Sequence, residues 1–296
     1  MEKAEQLVIS ENTYIIYTSD NGFHIGQHRL PAGKSCAIEE DINVPFFIRG
    51  PGVTKNSTVS YPTSHTDIAP TLLHLADIPY GNYKFDGTRM PVVPDHMYLT
   101  RQEHVNVEFW GSNIGEGKFA SSLMNPPNNN TYKALRLISA DDSFNLLYVV
   151  WCTNERELYD LNVDPGQTVN LATDFTSAAY GETLFTTGRI GTSAEINGYP
   201  AVNVQNRLDA LLMVLKTCKE GTCVQPWGFL HPKDDVKSLK EAMDAKYGCY
   251  YRSTIKIKFD GCAKGYLRDQ EGPEADREGD IAPYVQPYAK INNCVD

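Results

Sequence analysis

The sequence predicts an α/β fold in which a mixed sheet flanked by helices is followed by a small antiparallel-sheet subdomain with helices. In the first third of the chain, short apolar runs rich in β-branched and aromatic residues are followed by a helical pattern. Short runs separated by polar turns then lie between residues 132 and 161 and predict the antiparallel sheet. Apolar residues return at helical spacing after residue 200. We expect domains at residues 1–111, 112–172 and 173–296.

Two apolar runs near the start predict buried strands at residues 14–17 and 44–48. The first run ends in a Ser-Asp-Asn-Gly sequence at residues 19–22, whose glycine lets the backbone turn sharply. The loop that follows carries the cationic or titratable side chains His24, His28, Arg29 and Lys34. Because ligands of an open α/β sheet bind at the carboxyl ends of its strands, this pattern predicts a site for a metal ion and an anionic substrate. The alternative is a simple turn, for which Asp, Asn and Gly are common residues.

The remaining elements follow from the same periodicities. Residues 64–76 combine a polar start, an early proline and an apolar stripe, which predicts an amphipathic helix packed on the sheet. Further elements are predicted in chain order as a connecting stretch at 79–94, a strand at 105–110, a long surface loop at 112–131, and short strands at 132–138, 145–151 and 157–161. The last part of the chain is predicted to hold an amphipathic helix at 203–216, a possible second helix at 234–246 and an irregular tail after 264.

Composition narrows the classes of partner. The chain has 296 residues, a formal net charge of −10 and a pI near 5.2. Nucleic acids and anionic membranes require a basic surface, so neither is expected as the main partner. No apolar run approaches the roughly 20 residues that span a bilayer, so no membrane span is expected. Residues 1–6 lack the apolar region of a signal peptide.

Seven cysteines give weak support for an oxidising compartment, because most of them are irregularly spaced. Cys218 and Cys223 enclose a short loop that a disulfide could close, and two free thiols are the alternative. A zinc site would need a second close pair, and Cys249 and Cys262 are too far apart in the chain to supply it.

The chemistry of the polar loop depends on four side chains. Asp20 and Asn21 offer adjacent oxygen donors, which suit calcium or magnesium better than zinc. Two ligands cannot complete a calcium shell, so further carboxylates must come from elsewhere. Lys34 carries a compact ammonium that can hold an anionic oxygen. His24 carries an imidazole, which can donate a proton or a hydrogen bond.

Several motifs of the chain form one recognisable set. They are Ser19-Asp20-Asn21-Gly22-Phe23-His24-Ile25-Gly26-Gln27-His28, Lys34, Glu39-Glu40-Asp41-Ile42-Asn43-Val44-Pro45, Arg49-Gly50-Pro51-Gly52, Thr66-Asp67-Ile68-Ala69-Pro70-Thr71-Leu72 and Glu108-Phe109-Trp110. The set resembles the later signature of the sulfatases, especially fungal arylsulfatases and N-acetylglucosamine-6-sulfatase. The resemblance continues through residues 152–161 and 164–171, which are similar to the family's C-terminal subdomain. It implies that the predicted sheet is a remnant of the alkaline-phosphatase-like mixed sheet.

The resemblance implies calcium-dependent hydrolysis of sulfate esters, either small molecules or sulfated glycans. Asp20 and Asn21 would be the second pair of ligands to a single calcium ion. Lys34 would contact a sulfate oxygen and His24 would lie near the sulfate, so these two are the expected catalytic and substrate-binding residues. A phospho- or phosphonate-ester hydrolase of the same superfamily is the alternative. Those enzymes tend to have histidine at the position of Asn21, so Asn21 favours the sulfatases.

The nucleophile of the family is missing from this sequence. Sulfatases use a formylglycine made from the cysteine of a Cys-x-Pro/Ala-Ser-Arg motif, and none of the seven cysteines has that context. The Asp-Asp pair of the family's first metal loop is also missing, and Asp141-Asp142 lies too late in the chain to replace it. The resemblance therefore implies a C-terminal portion that is inactive alone and whose partner is the missing N-terminal half. A non-catalytic remnant that binds calcium or a partner is the alternative.

The resemblance also implies a location and a physical property. The protein would be secreted, lysosomal or vacuolar, although this chain carries no signal peptide, and the sequons at 56–58 and 129–131 would matter only there. Without the family's first strands, residues 14–17 and 44–48 would expose sheet edges and apolar faces, so we expect poor solubility.

Other polar residues have weaker expectations. His65 and His74 lie on the predicted helix and are expected to pack or to face solvent. Glu108 and Trp110 end a strand that runs toward the site. They could line a substrate pocket, and a packed strand end is the favoured interpretation.

Overall fold

A computed structural model describes residues 10–94, 102–111, 130–173, 194–233, 235–263, 265–267 and 270–272. Its strands are β1 (Ile15–Tyr17), β2 (Phe47–Arg49), β3 (His104–Phe109), β4 (Tyr132–Ile138), β5 (Asn145–Trp151), β6 (Arg156–Asp160), β7 (Glu195–Ile196) and β8 (Tyr199–Pro200). They form a two-stranded sheet β1-β2, a four-stranded sheet in the order β3-β4-β5-β6, and a two-stranded sheet β7-β8. The predicted α/β class with an antiparallel-sheet subdomain is confirmed.

The four-stranded sheet is antiparallel throughout and is buried on both faces. Its pairing is continuous from β3 to β6, with Leu135 opposite Tyr148 and Tyr148 opposite Leu158. One face carries large apolar side chains into the main core, and the other face carries Ala134 and Val149 into a smaller one. The predicted strands here are confirmed. The division into three domains stays a prediction, although its first boundary falls between the paired strands β3 and β4.

A helical layer covers one face of this sheet. The helices of the described residues are α1 (Glu39–Ile42), α2 (Ile68–Leu75), α3 (Ala201–Leu215), α4 (Gly221–Val224), α5 (Pro226–Leu230), α6 (Leu239–Ala242) and α7 (Gly248–Ser253). α3 lies at the centre of the layer and packs against α5, α7 and the strands. The possible helix at 234–246 is a single turn, α6, followed by a 3-10 turn at Ala245–Tyr247.

The prediction that α3 is amphipathic was wrong, because α3 is buried nearly all round. Its polar residues Arg207 and Asp209 are buried along with the leucines. Arg207 Nε donates to the Ala242 carbonyl oxygen at 2.9 Å, and Asp209 accepts hydrogen bonds from Tyr148 Oη at 2.7 Å and Ile257 N at 3.0 Å. Later segments therefore cover the side that periodicity assigns to solvent, and the polar side chains hydrogen-bond to them.

The prediction that the first two strands are buried was also wrong. β1 and β2 pair antiparallel, and both show their side chains in an exposed, half-buried, exposed order. The side chains of Tyr17 and Phe47 are 65% and 66% exposed, with ring centroids 6.2 Å apart. Among the described residues, no further strand pairs with β1 or β2. Apolar content alone therefore misassigned their burial, since a covering layer decides it.

The predicted helix at 64–76 is confirmed as a 3-10 turn, His65–Asp67, that continues into α2. Ser64 and Asp67 form a capping box across the first turn. The buried Asp67 carboxylate also accepts from Thr88 N at 2.8 Å, which ties the connecting stretch to the helix. The capped first turn carries His65, whose side chain approaches Thr18 just after β1.

Disulfides link the later segments. The predicted Cys218–Cys223 disulfide is confirmed, and Cys152–Cys262 joins residues 110 positions apart. Cys249 is also disulfide-bonded. The predicted surface loop at 112–131 and the tail after 264 lie almost wholly outside the described residues. Within those residues, no helix is both long and apolar enough to cross a bilayer.

Candidate active site

A cavity of about 540 Å³ brings together most of the side chains that the sequence singles out. Asp20, Asn21 and Lys34 line it, with β3 supplying another part of the lining through Asn106 and Glu108. The volume is within the range of small-molecule sites. Residues distant in the sequence therefore share one concave surface.

The polar loop is folded tightly against α1. Gly22 N donates to the Asp41 carbonyl oxygen at 2.8 Å, and Phe23 N donates to that of Glu40 at 2.9 Å. A Cβ atom on Gly22 would overlap the Glu40 carbonyl oxygen, so only glycine fits there. The turn and the ligand hypotheses are thus compatible, because the turn at Gly22 leaves Asp20 and Asn21 on the cavity lining.

Asp20 and Asn21 each present a side-chain oxygen that can bind a metal ion. Asp20 Oδ1 accepts hydrogen bonds from Asn21 N at 3.0 Å and Ser19 Oγ at 3.3 Å. The hydrogen bond from Asn21 N lowers the pKa of Asp20, and the positive charge of Lys34 contributes in the same direction. Asn21 Nδ2 donates to the Gly22 carbonyl oxygen at 2.7 Å, which leaves the amide oxygen for a ligand. These donors fit part of a calcium shell of six to eight oxygens.

His24 is buried beneath the loop rather than on the cavity lining, with 3% of its surface exposed. Its Nδ1 lies 2.7 Å from Asp41 Oδ1 and 3.0 Å from Oδ2. Its backbone pairs with Gly33 in both directions, at 3.0 and 3.1 Å. Since Gly33 precedes Lys34, His24 and Asp41 fix the start of the segment that carries the lysine. The predicted contact of His24 with sulfate stays a prediction.

Cys36 lies beside this pair and lines the cavity. Ligand atoms of His24, Cys36 and Asp41 lie within 4.8 Å of one another. Burial, with the charge of Asp41 adding to it, raises the pKa of Cys36 to about 12. The thiol therefore stays protonated at neutral pH, which makes it a poor nucleophile. Asp41 is instead occupied by His24 and by Cys36 N, which donates to Oδ2 at 2.9 Å.

The β3 lining is anchored by charge. Glu108 pairs with Lys133 Nζ at 3.0 Å and accepts hydrogen bonds from Asn106 Nδ2 and Trp110 Nε1, both at 2.9 Å. Trp110 is packed at the strand end, as expected. Its ring contacts that of Tyr266 edge-on, with 4.8 Å between the ring centroids. Glu108 lies on the cavity.

Two further residues line the cavity. His65 is exposed, as the sequence analysis expected, and its Nε2 lies 3.5 Å from Thr18 Oγ1 on the cavity lining. Asp41 belonged to the recognised motif but carried no expected role. Asp41 directly follows two glutamates, and nothing in the sequence distinguishes it as the buried carboxylate of that acidic run. His74 contacts Arg89 Nη1 at 2.8 Å and is a packing residue, as expected.

Comparison with known proteins finds similarity to sulfatases. Residues 1–78 match the Sulfatase family model. Sulfatase ppz1 of Metarhizium majus is 38% identical over 263 residues, covering 88% of this chain and 50% of the relative. Human N-acetylglucosamine-6-sulfatase is 30% identical over 234 residues, covering 74% of this chain and 38% of the relative.

A solved structure of a protein in complex with its substrate D-glucosamine-2-N,6-O-disulfate is also similar. It is 22% identical, covers 57% of this chain and 32% of that protein, and has a TM-score of 0.47. The chain spans about half or less of the length of the curated relatives it matches. From the family model and these relatives together, the chain is similar to sulfatases over most of its length.

Proposed function

We propose that this chain contributes part of the active site of a calcium-dependent sulfate-ester hydrolase. Asp20 and Asn21 hold one calcium ion, and Lys34 contacts an oxygen of the sulfate group. The observation that carries the proposal is that these three side chains line a single cavity in a chain similar to sulfatases. The hydrogen bond from Asn21 N lowers the pKa of Asp20, so its carboxylate is ionised and able to bind a cation.

The chain's own residues would bind and orient the ester. The Lys34 ammonium is a compact charge that balances the sulfate, and a bound calcium ion would supply further positive charge to the same group. His24 would act near the sulfate as the family resemblance implies. Its hydrogen bonds to Asp41 and its backbone pairing with Gly33 would also hold Lys34 in position.

The proposed substrates are sulfate esters of small molecules or glycans. Curated relatives are named arylsulfatase and N-acetylglucosamine-6-sulfatase, which supports both kinds. We propose a secreted or lysosomal location, because short stretches of the chain match extracellular sulfatases and because disulfides persist in oxidising compartments. Asn21 supports a one-metal sulfatase site over a phosphonate hydrolase, since an amide oxygen suits calcium.

The proposal is tested with the isolated 296-residue chain. Because none of its seven cysteines has the formylglycine context, we expect no turnover of 4-nitrophenyl sulfate with calcium, only binding. Lys34→Ala should weaken that binding about tenfold, the usual effect of losing a charged hydrogen bond. Isothermal titration calorimetry measures the binding of the ester to the wild-type chain and to Lys34→Ala. The exposed Lys55→Ala is the control.

Two results would contradict it. Robust turnover by this chain would show that the nucleophile is not the missing formylglycine, and an unchanged affinity in Lys34→Ala would remove the lysine from the site. The coding sequence upstream separates an enzyme from a non-catalytic remnant. An in-frame Cys-x-Pro-Ser-Arg motif there would support the enzyme.

A further inference from the structure

Glu108 is held rigidly on the cavity lining by three donors among the described residues. Asn106 Nδ2 and Lys133 Nζ reach Oε1 at 2.9 and 3.0 Å, and Trp110 Nε1 reaches Oε2 at 2.9 Å. The Glu108 side chain is nevertheless 27% exposed, whereas that of Lys133 is 1% exposed. A carboxylate held by three donors therefore meets the cavity.

The simplest explanation of Glu108 is that it neutralises the buried Lys133. A second carboxylate already serves that purpose, because Glu271 is equally buried and lies 3.3 Å from Lys133 Nζ. Glu271 also lies 3.9 Å from Lys216 Nζ. Lys133 therefore lies between two carboxylates, and Glu108 is not its sole counter-ion. The exposed part of the Glu108 carboxylate can therefore also contact a ligand in the cavity.

The charges of this cluster indicate which ligand group would be accepted. Two lysines, Lys133 and Lys216, balance two glutamates, Glu108 and Glu271, so the cluster carries no net charge. A carboxylate has about four acceptor positions, and three donors leave about one open on Glu108. A neutral hydroxyl group fits this position. An ammonium group would add uncompensated charge, and a second sulfate would be repelled by the carboxylate.

We propose that Glu108 determines specificity by accepting a hydrogen bond from a hydroxyl group on the alcohol part of the substrate. The substrate class is then a sulfate ester of a sugar or another polyol, in preference to an ester without hydroxyl groups. This inference rests on the proposed function, since it places the sulfate at Lys34 and the alcohol part toward β3. Both lie on the same cavity of about 540 Å³.

The test measures binding to the full 296-residue chain in calcium by isothermal titration calorimetry. The probes are glucose 6-sulfate and cyclohexylmethyl sulfate, which resemble each other in size and differ in hydroxyl groups. We expect the wild-type chain to bind glucose 6-sulfate about tenfold more tightly. Glu108→Gln should weaken glucose 6-sulfate about tenfold and leave cyclohexylmethyl sulfate within twofold. The exposed Glu155→Gln should change neither.

Each other outcome overturns the inference in a recognisable way. Equal wild-type affinities for the two esters remove the hydroxyl contact while leaving the proposed function intact, and this comparison needs no variant to fold. Loss of both ligands in Glu108→Gln, with an unchanged unfolding midpoint, makes Glu108 a general electrostatic residue. A weakened calcium affinity in that variant makes it a metal ligand. If neither ester binds, the proposed function fails first.

Discussion

Single residues around the cavity are placed by contacts that span very different sequence distances. Gly22 permits a close approach of the polar loop to α1, and Asp41 on that helix then receives both His24 and Cys36 N. These contacts are local, within twenty positions. Glu108 is different, because its partner Lys133 comes from the neighbouring strand and Glu271 comes from near the end of the described chain. Local motifs thus position the metal-and-anion part, and long-range pairing positions the opposing carboxylate.

Glu103 gives a pH prediction at the residue scale. Its buried carboxylate accepts hydrogen bonds from Trp227 Nε1 at 2.8 Å and Leu239 N at 2.7 Å. Burial raises its pKa from 4.5 to about 7. The folded state therefore holds the proton over a range where the unfolded state has released it. This contribution to stability is complete below about pH 4.5, is lost as the pH rises toward 7, and amounts to on the order of 3 kcal/mol.

The corresponding variant is Glu103→Gln, which keeps an acceptor for both donors but cannot ionise. The difference in the free energy of unfolding between variant and wild type should grow in favour of the variant from pH 4.5 to pH 7. Urea unfolding at several pH values measures it. Glu155→Gln, an exposed change at a carboxylate that does not contribute to the pKa shift of Glu103, is the control. A difference that stays constant across this range would show that Glu103 is charged in the folded protein.

At the scale of elements, the four-stranded sheet and α3 form the main core, and the later segments are fastened over them. The Cys152–Cys262 disulfide joins the turn after β5 to the segment that covers α3. Ile257 N donates to Asp209, and Arg156 Nη2 donates to the Ile257 carbonyl oxygen at 2.5 Å. The same segment leads to Glu271, so its attachment also supports the β3 lining of the cavity.

The Cys152–Cys262 and Cys218–Cys223 disulfides should differ in their contribution to stability. In the chain-entropy model, a disulfide that closes a loop of about 110 residues contributes about 5 kcal/mol, and one that closes a loop of about 5 residues contributes about 2 kcal/mol. The double variant Cys152→Ala/Cys262→Ala should therefore lose more unfolding free energy than Cys218→Ala/Cys223→Ala. Chemical denaturation of both, each compared with wild type, checks the order. Equal losses would indicate that strain or residual structure dominates.

At the scale of the whole molecule, the β1-β2 sheet leaves large apolar side chains uncovered by the other described residues. Tyr17 and Phe47 face outward beside each other, with Ile15 and Ile25 exposed nearby. The chain covers about half or less of its curated relatives. An apolar sheet face of this kind favours association.

We expect the isolated chain to self-associate through that face. The change Tyr17→Ser/Phe47→Ser should raise the monomer fraction, measured by sedimentation velocity over a range of concentrations. Tyr83→Ser, which removes a ring that is 76% exposed elsewhere, is the matched control. A wild-type chain that is monomeric and unfolds in one cooperative transition would contradict this prediction.

Periodicity and motifs in the sequence determined much of the local structure. The alternating runs at 132–161 determined three adjacent antiparallel strands, and the polar start at Ser64 determined the helix α2. The Cys218–Cys223 loop and the glycine turn after Asn21 were equally readable. These features depend on neighbours in the chain, for which side-chain spacing and backbone geometry are sufficient.

Only the tertiary structure decided burial and long-range partners. β1 is apolar but exposed, and α3 carries polar residues that are buried, because a covering layer rather than composition decides both. The Cys152–Cys262 disulfide and the Lys133–Glu271 pair join positions more than 100 residues apart, which no spacing rule connects. The sequence therefore determined which residues could form a metal-and-anion site, and the fold decided that Glu108 shares its cavity.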